Sequence, residues 1–242
     1  MAKVQHLSNA PIREALIDIQ VEFQEGMTLE SFSAFGEAIK NDYPKLGKTW
    51  TAEFNLKTEN ATGGMTSAQT GYVFRSQDGH QVTQTRLEGF TFSRLNNYES
   101  WETFRTEAKR LWSLFADILR PLSITRIGCR FINEIQLEAA VNLPDYITAI
   151  PPRIDGIPDQ VEGFMSRVEV HYDDAPTNAI ITQALRIIDD EKVTLLLDID
   201  VFRKITFPGD GLLAWESIED FREIKNKIFF SSITDKTVEE CK

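Results

Sequence analysis

Two aspartates in an otherwise apolar segment, Asp198 and Asp200, have the clearest potential for chemistry in this chain. Because side chains alternate between the faces of a strand, both carboxylates lie on one face of a strand predicted over 193–203. Carboxylates spaced in this way can bind a divalent cation such as Mg²⁺ or Mn²⁺, or they can pair with arginines on neighbouring strands. A single Asp-x-Asp pattern is a weak metal signal, so the spacing favours ion pairs.

Charged residues of two further strands could share this face with the aspartates. These strands are predicted over 15–23 and 123–137, where apolar residues alternate with polar ones. The charged positions on their polar faces include Asp18, Arg126, Arg130 and Glu134. Because guanidinium groups donate paired hydrogen bonds to carboxylates and phosphates, the combined face is a candidate site for a small anionic ligand or a protein partner. The alternative, which the sequence favours, is a solvated face held by cross-strand ion pairs.

Tyr98 is a further candidate contact residue. It lies in a predicted turn over 94–101 that joins a strand to the main helix. Asn96 and Asn97 tolerate left-handed backbone and Ser100 is a good helix cap, so a structural role explains most of the turn. Tyr98 is the residue of the turn that a partner protein could contact.

The patterns of several common catalytic sites are missing from the sequence. Its three histidines and two cysteines lack the His-Glu-x-x-His and Cys-x-x-Cys spacings of zinc sites. It also lacks a glycine-rich turn between strand and helix and a Gly-x-Ser-x-Gly motif, and Cys129 falls on the apolar face of its strand. The sequence therefore predicts no cofactor, with Mg²⁺ or Mn²⁺ as the alternative.

Eight strands and three main helices are expected to position these residues. The strands are predicted over 15–23, 48–56, 71–76, 82–95, 123–137, 164–172, 179–188 and 193–204. The helices are predicted over 28–43, 100–120 and 213–230, with short helices over 145–149 and after Thr234. This pattern predicts an α+β fold with a mixed, largely antiparallel sheet and three main helices packed on one side.

A single domain over 1–242 is the simplest organisation. The segments 16–21 and 196–201 resemble each other, which raises the alternative of two related sub-halves, 1–140 and 160–242. A proline-rich loop over 141–160 would join them, because proline interrupts strand pairing. The pair Gly63 and Gly64 predicts a mobile loop between two strands.

Composition limits the classes of partner. The chain of 242 residues is 42% hydrophobic and carries a net charge of −11, whose field repels phosphate backbones and anionic membranes. No run of about 18 apolar residues is present, and residues 1–9 lack an apolar leader. These features predict a cytoplasmic protein that binds neither membranes nor nucleic acid. A protein partner is expected, and a homo-oligomer remains open.

Several segments resemble those of a known protein family. They are 8–12 with Glu14 and Ala15, 71–79, 98–101, 124–128 with Ile132 and Asn133, 197–200, and 225–230. In this order they are similar to a sporadically distributed bacterial family of about this length whose members have no assigned activity. The resemblance covers nearly the whole chain. It implies a bacterial cytosolic protein, and the patchy distribution indicates mobile or defence-associated genes.

Two hypotheses about function follow from the sequence. The first is a non-catalytic binding or regulatory protein of a bacterial accessory system, such as defence or toxin control, that recognises a protein partner or a small anionic ligand. The alternative is a divalent-metal-dependent phosphoesterase that uses Asp198 and Asp200 as metal ligands, with Arg126 or Arg130 holding the anion.

Overall fold

The computed structural model describes residues 2–57, 62–138, 142–150, 156, 163–173, 175–187 and 192–242. Its strands are β1 (Ile12–Glu22), β2 (Lys45–Lys57), β3 (Thr62–Arg75), β4 (Gln81–Arg86), β5 (Gly89–Leu95), β6 (Ser123–Glu138), β7 (Gly163–Tyr172), β8 (Thr177–Ile187), β9 (Lys192–Arg203) and β10 (Phe207–Pro208). Its helices are α1 (Ser33–Ile39), α2 (Trp101–Leu119), α3 (Leu212–Ser232) and α4 (Asp235–Glu240). Short 3-10 helices span Leu29–Phe32 and Leu143–Asp145.

One sheet contains all the described strands. Its order is β2-β3-β4-β5-β1-β6-β9-β8-β7, and β10 pairs with β6. This sheet together with the helices confirms the α+β class. All the described pairings are antiparallel, which confirms the largely antiparallel sheet but gives no parallel pair of the predicted mixture among the described strands. Since β6 pairs with β9, a single sheet runs through both of the sub-halves proposed from the sequence.

The central strands alternate between an apolar face and a charged face, as their sequences predict. On β9, Leu195, Leu197, Ile199 and Val201 are buried, and their counterparts on β1 are Ala15, Ile17, Ile19 and Val21. Cys129 of β6 is also buried, and burial raises the pKa of its thiol to about 12. The helices supply the rest of the core: α2 packs on β5, and α3 packs on β6 and β9. None of the described helices is long and apolar enough to cross a bilayer.

Local sequence signals predict some of the helix boundaries but not all of them. Ser100 caps α2 by accepting a hydrogen bond from the Thr103 amide, and Thr234 caps α4 in the same way, both as predicted. The helix predicted over 28–43 is shorter, because its first turn is 3-10 and α1 spans only Ser33–Ile39. The helix predicted over 145–149 is wrong, since only a 3-10 turn at Leu143–Asp145 forms there. Half of the predicted loop over 141–160 lies outside the described residues.

Two strand predictions are corrected by the hairpins. Gly63 and Gly64 do not form a loop; they belong to β3 and pair with Leu56 and Asn55. The single strand predicted over 82–95 is two strands, β4 and β5, joined by a tight turn at Leu87 and Glu88. Neither turn residue has a positive φ, and the turn has no Asn-Gly or Asp-Gly pair in its sequence. The hairpin at Gly79, in contrast, carries the Asp-Gly signal.

A bulge shifts the faces at the start of β6. The register with β1 jumps between Gln20 opposite Arg126 and Val21 opposite Ile124. As a result Ile124 is buried and Thr125 is not, although strict alternation places Thr125 on the apolar face. The alternation beyond the bulge is regular, which keeps Arg126 and Arg130 on the charged face.

Replacing Gly89 with alanine is expected to destabilise the fold. A Cβ at this position would lie 2.2 Å from the Ile19 carbonyl oxygen of β1, and neither backbone can yield without disturbing the ladder. We expect G89A to lower the free energy of unfolding by about 1–3 kcal/mol. G47A is the matched control, because its Cβ would meet no atom closer than 3.8 Å. Equal urea midpoints for the two variants would contradict this packing.

Candidate functional site

Arg126 connects the three central strands on the charged face of the sheet. Its Nη1 lies 3.0 Å from Oδ2 of Asp18 on β1, and its Nη2 lies 2.8 Å from Oδ2 of Asp200 on β9. The arrangement follows from the registers, which place Asp18 opposite Gly128 and Asp200 opposite Arg130. One guanidinium on β6 therefore bridges carboxylates from both neighbouring strands.

Two more ion pairs extend this arrangement on either side. Asp18 also accepts hydrogen bonds from Arg86 at 2.9 Å and from the Thr91 hydroxyl at 2.7 Å. Arg130 donates from Nε and Nη2 to the two oxygens of Asp198, at 2.7 and 2.5 Å. Paired bonds of this geometry are the strongest form of arginine–carboxylate contact. We call these six charged residues the strand network: Asp18, Arg86, Arg126, Arg130, Asp198 and Asp200.

Local sequence makes room for the central arginine. Gly128 lies beside it, and a Cβ there would come within 2.9 Å of the Arg126 Nη1 atom. The guanidinium carbon of Arg126 lies 4.5 Å from the centroid of the buried Phe202 ring, which it covers. Glycine at 128 and phenylalanine at 202 thus hold the guanidinium in the plane that reaches both aspartates.

The strand network is balanced in charge, with three arginines and three aspartates. Burial raises the pKa of the Asp200 carboxyl, while Arg126 and Arg130 act in the opposite direction. Each arginine of the network already has a carboxylate partner, so an anionic ligand would have to displace one. The same ion pairs oppose the metal hypothesis, because a cation at Asp198 would have to displace Arg130. Within the described residues, no three His, Cys, Asp or Glu side chains form a group suited to a metal.

The sequence predicts a shared face for every member of the strand network except Arg86, and it also misses Thr91, which donates to Asp18. A single strand over 82–95 would place Arg86 and Thr91 on opposite faces, whereas the hairpin turns both residues toward Asp18. Glu134 does not join the network; it lies 3.8 Å from Arg13 and is 40% exposed.

Tyr98 lies on the opposite, apolar side of β6 from the network. Its ring packs 5.9 Å from Phe104 and 5.5 Å from Phe131, and burial raises the pKa of its hydroxyl. The preceding Asn96 and Asn97 adopt positive φ, as predicted for the turn. Tyr98 is therefore part of a packed wall rather than a freely exposed contact.

This wall belongs to a cleft of about 480 Å³, a volume within the range of small-molecule sites. Three parts of the chain surround it: residues 4–12, residues 98–102 with Asn133, and one side of α3. We call it the α3 cleft. The residues of α3 that line this cleft are Arg222, Lys225, Asn226, Phe229 and Phe230.

Lys225 is the unusual residue of the α3 cleft. Its ammonium nitrogen lies 4.0 Å from the centroid of the Phe131 ring. Within the described part of the chain it has no hydrogen-bond or ion-pair partner. Burial and, to a smaller degree, the neighbouring Arg222 lower the pKa of Lys225 to about 8. A partly buried cation held only by an aromatic face is costly unless another group balances it.

The other charges of the cleft are paired. Arg222 lies 3.4 Å from Glu102 and 3.9 Å from Glu219, and its guanidinium covers the Trp101 ring at 5.5 Å. The Trp101 indole donates to the Glu219 carboxylate at 3.1 Å, which fixes the orientation of this ring. Glu99 accepts from Arg94 at 2.9 Å. Among these groups, Lys225 is therefore the cation without a carboxylate partner in the described part of the chain.

Backbone hydrogen bonds tie the N-terminal segment into the cleft wall. The Ala2 amide donates to the Phe230 carbonyl at 3.0 Å, and the Asn9 amide donates to the Cys241 carbonyl at 3.1 Å. The Pro11 carbonyl accepts from the Glu134 amide at 2.8 Å, where β6 begins to separate from β1. These bonds hold a segment without regular structure against α3 and α4.

Residues from four distant parts of the chain meet at the α3 cleft. They are 8–12, 98–101, Asn133 and 225–230. They are distant in the sequence, and no periodic pattern connects them. Two residues of the cleft carry a sequence signal: Tyr98, the candidate contact residue of the turn, and Asn133, a polar residue on the apolar face of β6. Asn133 is buried and donates to the Leu197 carbonyl at 2.9 Å.

Comparison with known proteins gives no assignment for this chain: no protein-family model matches it, and no curated protein matches it.

Proposed function

We propose that this protein binds a small organic anion in the α3 cleft and acts as a binding or regulatory protein. The observation that carries the proposal is Lys225, a cation in a concave site without a carboxylate partner among the described residues. An anion at this position would supply the missing countercharge in a low-dielectric environment, where such a pair gains more than it does in water.

The walls of the α3 cleft indicate the rest of the ligand. Tyr98, Trp101 and Phe229 offer aromatic surface, while Asn133 and Ser8 offer polar groups at the edges. Ligand sites combine a mostly apolar lining with a few polar groups that set orientation. A small carboxylate or sulfonate with a flat apolar body fits this combination better than a highly charged phosphate ester, because Lys225, the one cation of the cleft without a carboxylate partner among the described residues, can balance a single negative charge.

The strand network has a structural role in this proposal. It lies on the face of β6 opposite Phe131 and Lys225, since Arg130 and Phe131 alternate along the strand. We place α1, α2 and α3 together on the apolar face, which is supported by the packing of α2 on β5 and of α3 on β6 and β9. The network then holds the central strands in register on the other face, while the helix side carries the ligand.

A matched set of three probes tests the charge preference of the α3 cleft. Benzoate, benzyl alcohol and benzylamine have similar size and shape but carry negative, zero and positive charge. We expect millimolar benzoate to raise the melting temperature and to change the intrinsic tryptophan fluorescence, to which Trp101 contributes, while benzylamine has no effect. The benzoate effect should weaken above pH 8, where Lys225 loses its proton. Equal responses to benzoate and benzylamine would contradict the proposal.

A variant that removes part of the wall of the α3 cleft tests whether benzoate binds there. Phe229→Ala enlarges the cleft without changing its charge, so benzoate should bind more weakly while its preference over benzylamine remains. If F229A binds benzoate as well as the wild type does, the anion binds elsewhere.

A further inference from the structure

The strand β7 is the last strand at one end of the described sheet. Among the described strands it pairs only with β8. Met165 is 77% exposed and Val168 is 49% exposed, so the strand is not covered on either face at its centre. The unpaired amides and carbonyls of such an edge can pair with a strand of another chain.

The sequence of β7 is complementary to itself. If two copies run antiparallel with Val168 opposite Val168, residues equally distant from Val168 face each other. Arg167 then faces Glu169 of the second copy, and Glu169 faces its Arg167, which gives two ion pairs beside the axis. Farther out, Phe164 faces Tyr172. Opposite charges and aromatic pairs are both favourable cross-strand neighbours.

The register with β8 separates these pairs onto two faces. Val168 lies opposite Ile181 and Val170 lies opposite Ala179, so the even-numbered residues of β7 continue the apolar face of the sheet. Arg167 lies opposite Thr182, which itself lies opposite Asp198. The ion pairs would therefore extend the charged face, and the valine and aromatic contacts would extend the apolar face.

We propose that this chain forms a homodimer through antiparallel pairing of β7 with β7 of a second copy, which continues the sheet across the two subunits. A two-fold axis perpendicular to the sheet at Val168 keeps both faces aligned, and the interface is isologous. Within one chain, Arg167 Nη2 lies 3.7 Å from Glu169 Oε2, and both side chains are more than half exposed. This loose contact leaves both charges available to a partner.

Charge reversal tests the proposal through a cycle of variants. We expect wild-type protein to show a concentration-dependent monomer–dimer equilibrium in sedimentation velocity. R167E and E169R each place like charges opposite each other twice, so each should weaken the dimer by at least tenfold. The double variant R167E/E169R restores opposite charges across the axis, and it should recover most of the wild-type affinity.

Two further variants separate this edge from the rest of the surface. V168K places two ammonium groups at the axis and should abolish the dimer, while its circular dichroism spectrum stays that of the wild type. K48E reverses an exposed charge on β2, the opposite edge strand, and should leave the dimer unchanged. The proposal is overturned if the wild type is monomeric at several hundred micromolar, or if R167E dimerises as the wild type does.

Discussion

Replacing Arg126 with methionine should lower the free energy of unfolding by about 3–5 kcal/mol at pH 7, the cost of breaking a buried ion pair from one side. The substitution removes the contacts that Arg126 makes with both Asp18 and Asp200. Asp18 keeps Arg86 and Thr91, but among the described residues no other side chain donates a hydrogen bond to the Asp200 carboxylate. Urea denaturation with linear extrapolation measures the loss.

The pH dependence of R126M identifies the carboxylate responsible. Burial raises the pKa of Asp200, and the loss of Arg126 raises it further. The native state then binds more protons than the unfolded state above the ordinary pKa of 3.8, so stability falls as pH rises through the native pKa. The deficit of R126M relative to wild type should therefore shrink as pH is lowered from 7 toward the ordinary carboxyl pKa of 3.8.

Two controls complete this test. R126M/D200N removes the unpaired charge and should recover part of the lost stability at pH 7. K40M removes an exposed ion pair with Glu37 and should cost less than about 0.5 kcal/mol. A loss for R126M no larger than that for K40M would mean that the strand network does not hold the sheet together.

Replacing Lys225 with methionine should abolish the benzoate response while making the free protein more stable. Methionine fills similar space beside Phe131 and carries no charge that must be desolvated. The shift of the Lys225 pKa from 10.5 to about 8 indicates a gain of about 1–3 kcal/mol at pH 7. We expect a higher melting temperature for K225M and at least a tenfold loss of benzoate affinity.

The gain in stability of K225M over the wild type should decrease as pH rises. Below pH 8 Lys225 is charged in both states, and the native state carries the full desolvation penalty. Between pH 8 and 10.5 the unfolded chain holds the proton and the native protein does not, so this group makes stability rise with pH. The advantage of K225M over wild type should therefore decline across that interval.

Lys227 provides the matched control, because it lies two residues farther along α3 and is exposed. K227M removes the same charge from the chain and should change neither stability nor benzoate binding appreciably. If K225M and K227M behave alike, the effect is one of net charge and the α3 cleft is not the binding site.

The alternation of residues along the central strands determined much of the fold from the sequence alone. The apolar positions of β1, β6 and β9 and the stripe on α2 follow from side-chain periodicity, which is a local property. The caps at Ser100 and Thr234 are local too, since the donor lies three residues from the acceptor. For the same reason the charged faces of Asp18, Arg126, Arg130, Asp198 and Asp200 were predictable.

Where a local signal was weak, the sequence misled. The turn at Leu87 and Glu88 has no glycine or asparagine at a position of positive φ, and tertiary packing of β5 against β1 decides it. Arg86 was lost from the predicted site for that reason. The bulge at Thr125 likewise depends on how β6 meets β1.

What only the tertiary structure decided is which residues meet. Periodicity assigns a face to each aspartate and arginine, but strand order and register select Arg126 as the partner of Asp18, 108 residues away, and of Asp200, 74 residues away. The α3 cleft depends even more on tertiary structure, because Lys225 contacts Phe131 only after α3 packs on β6. Pairing across such distances is set by the whole core, so the sequence by itself determined the faces, and the packing of the chain determined the site.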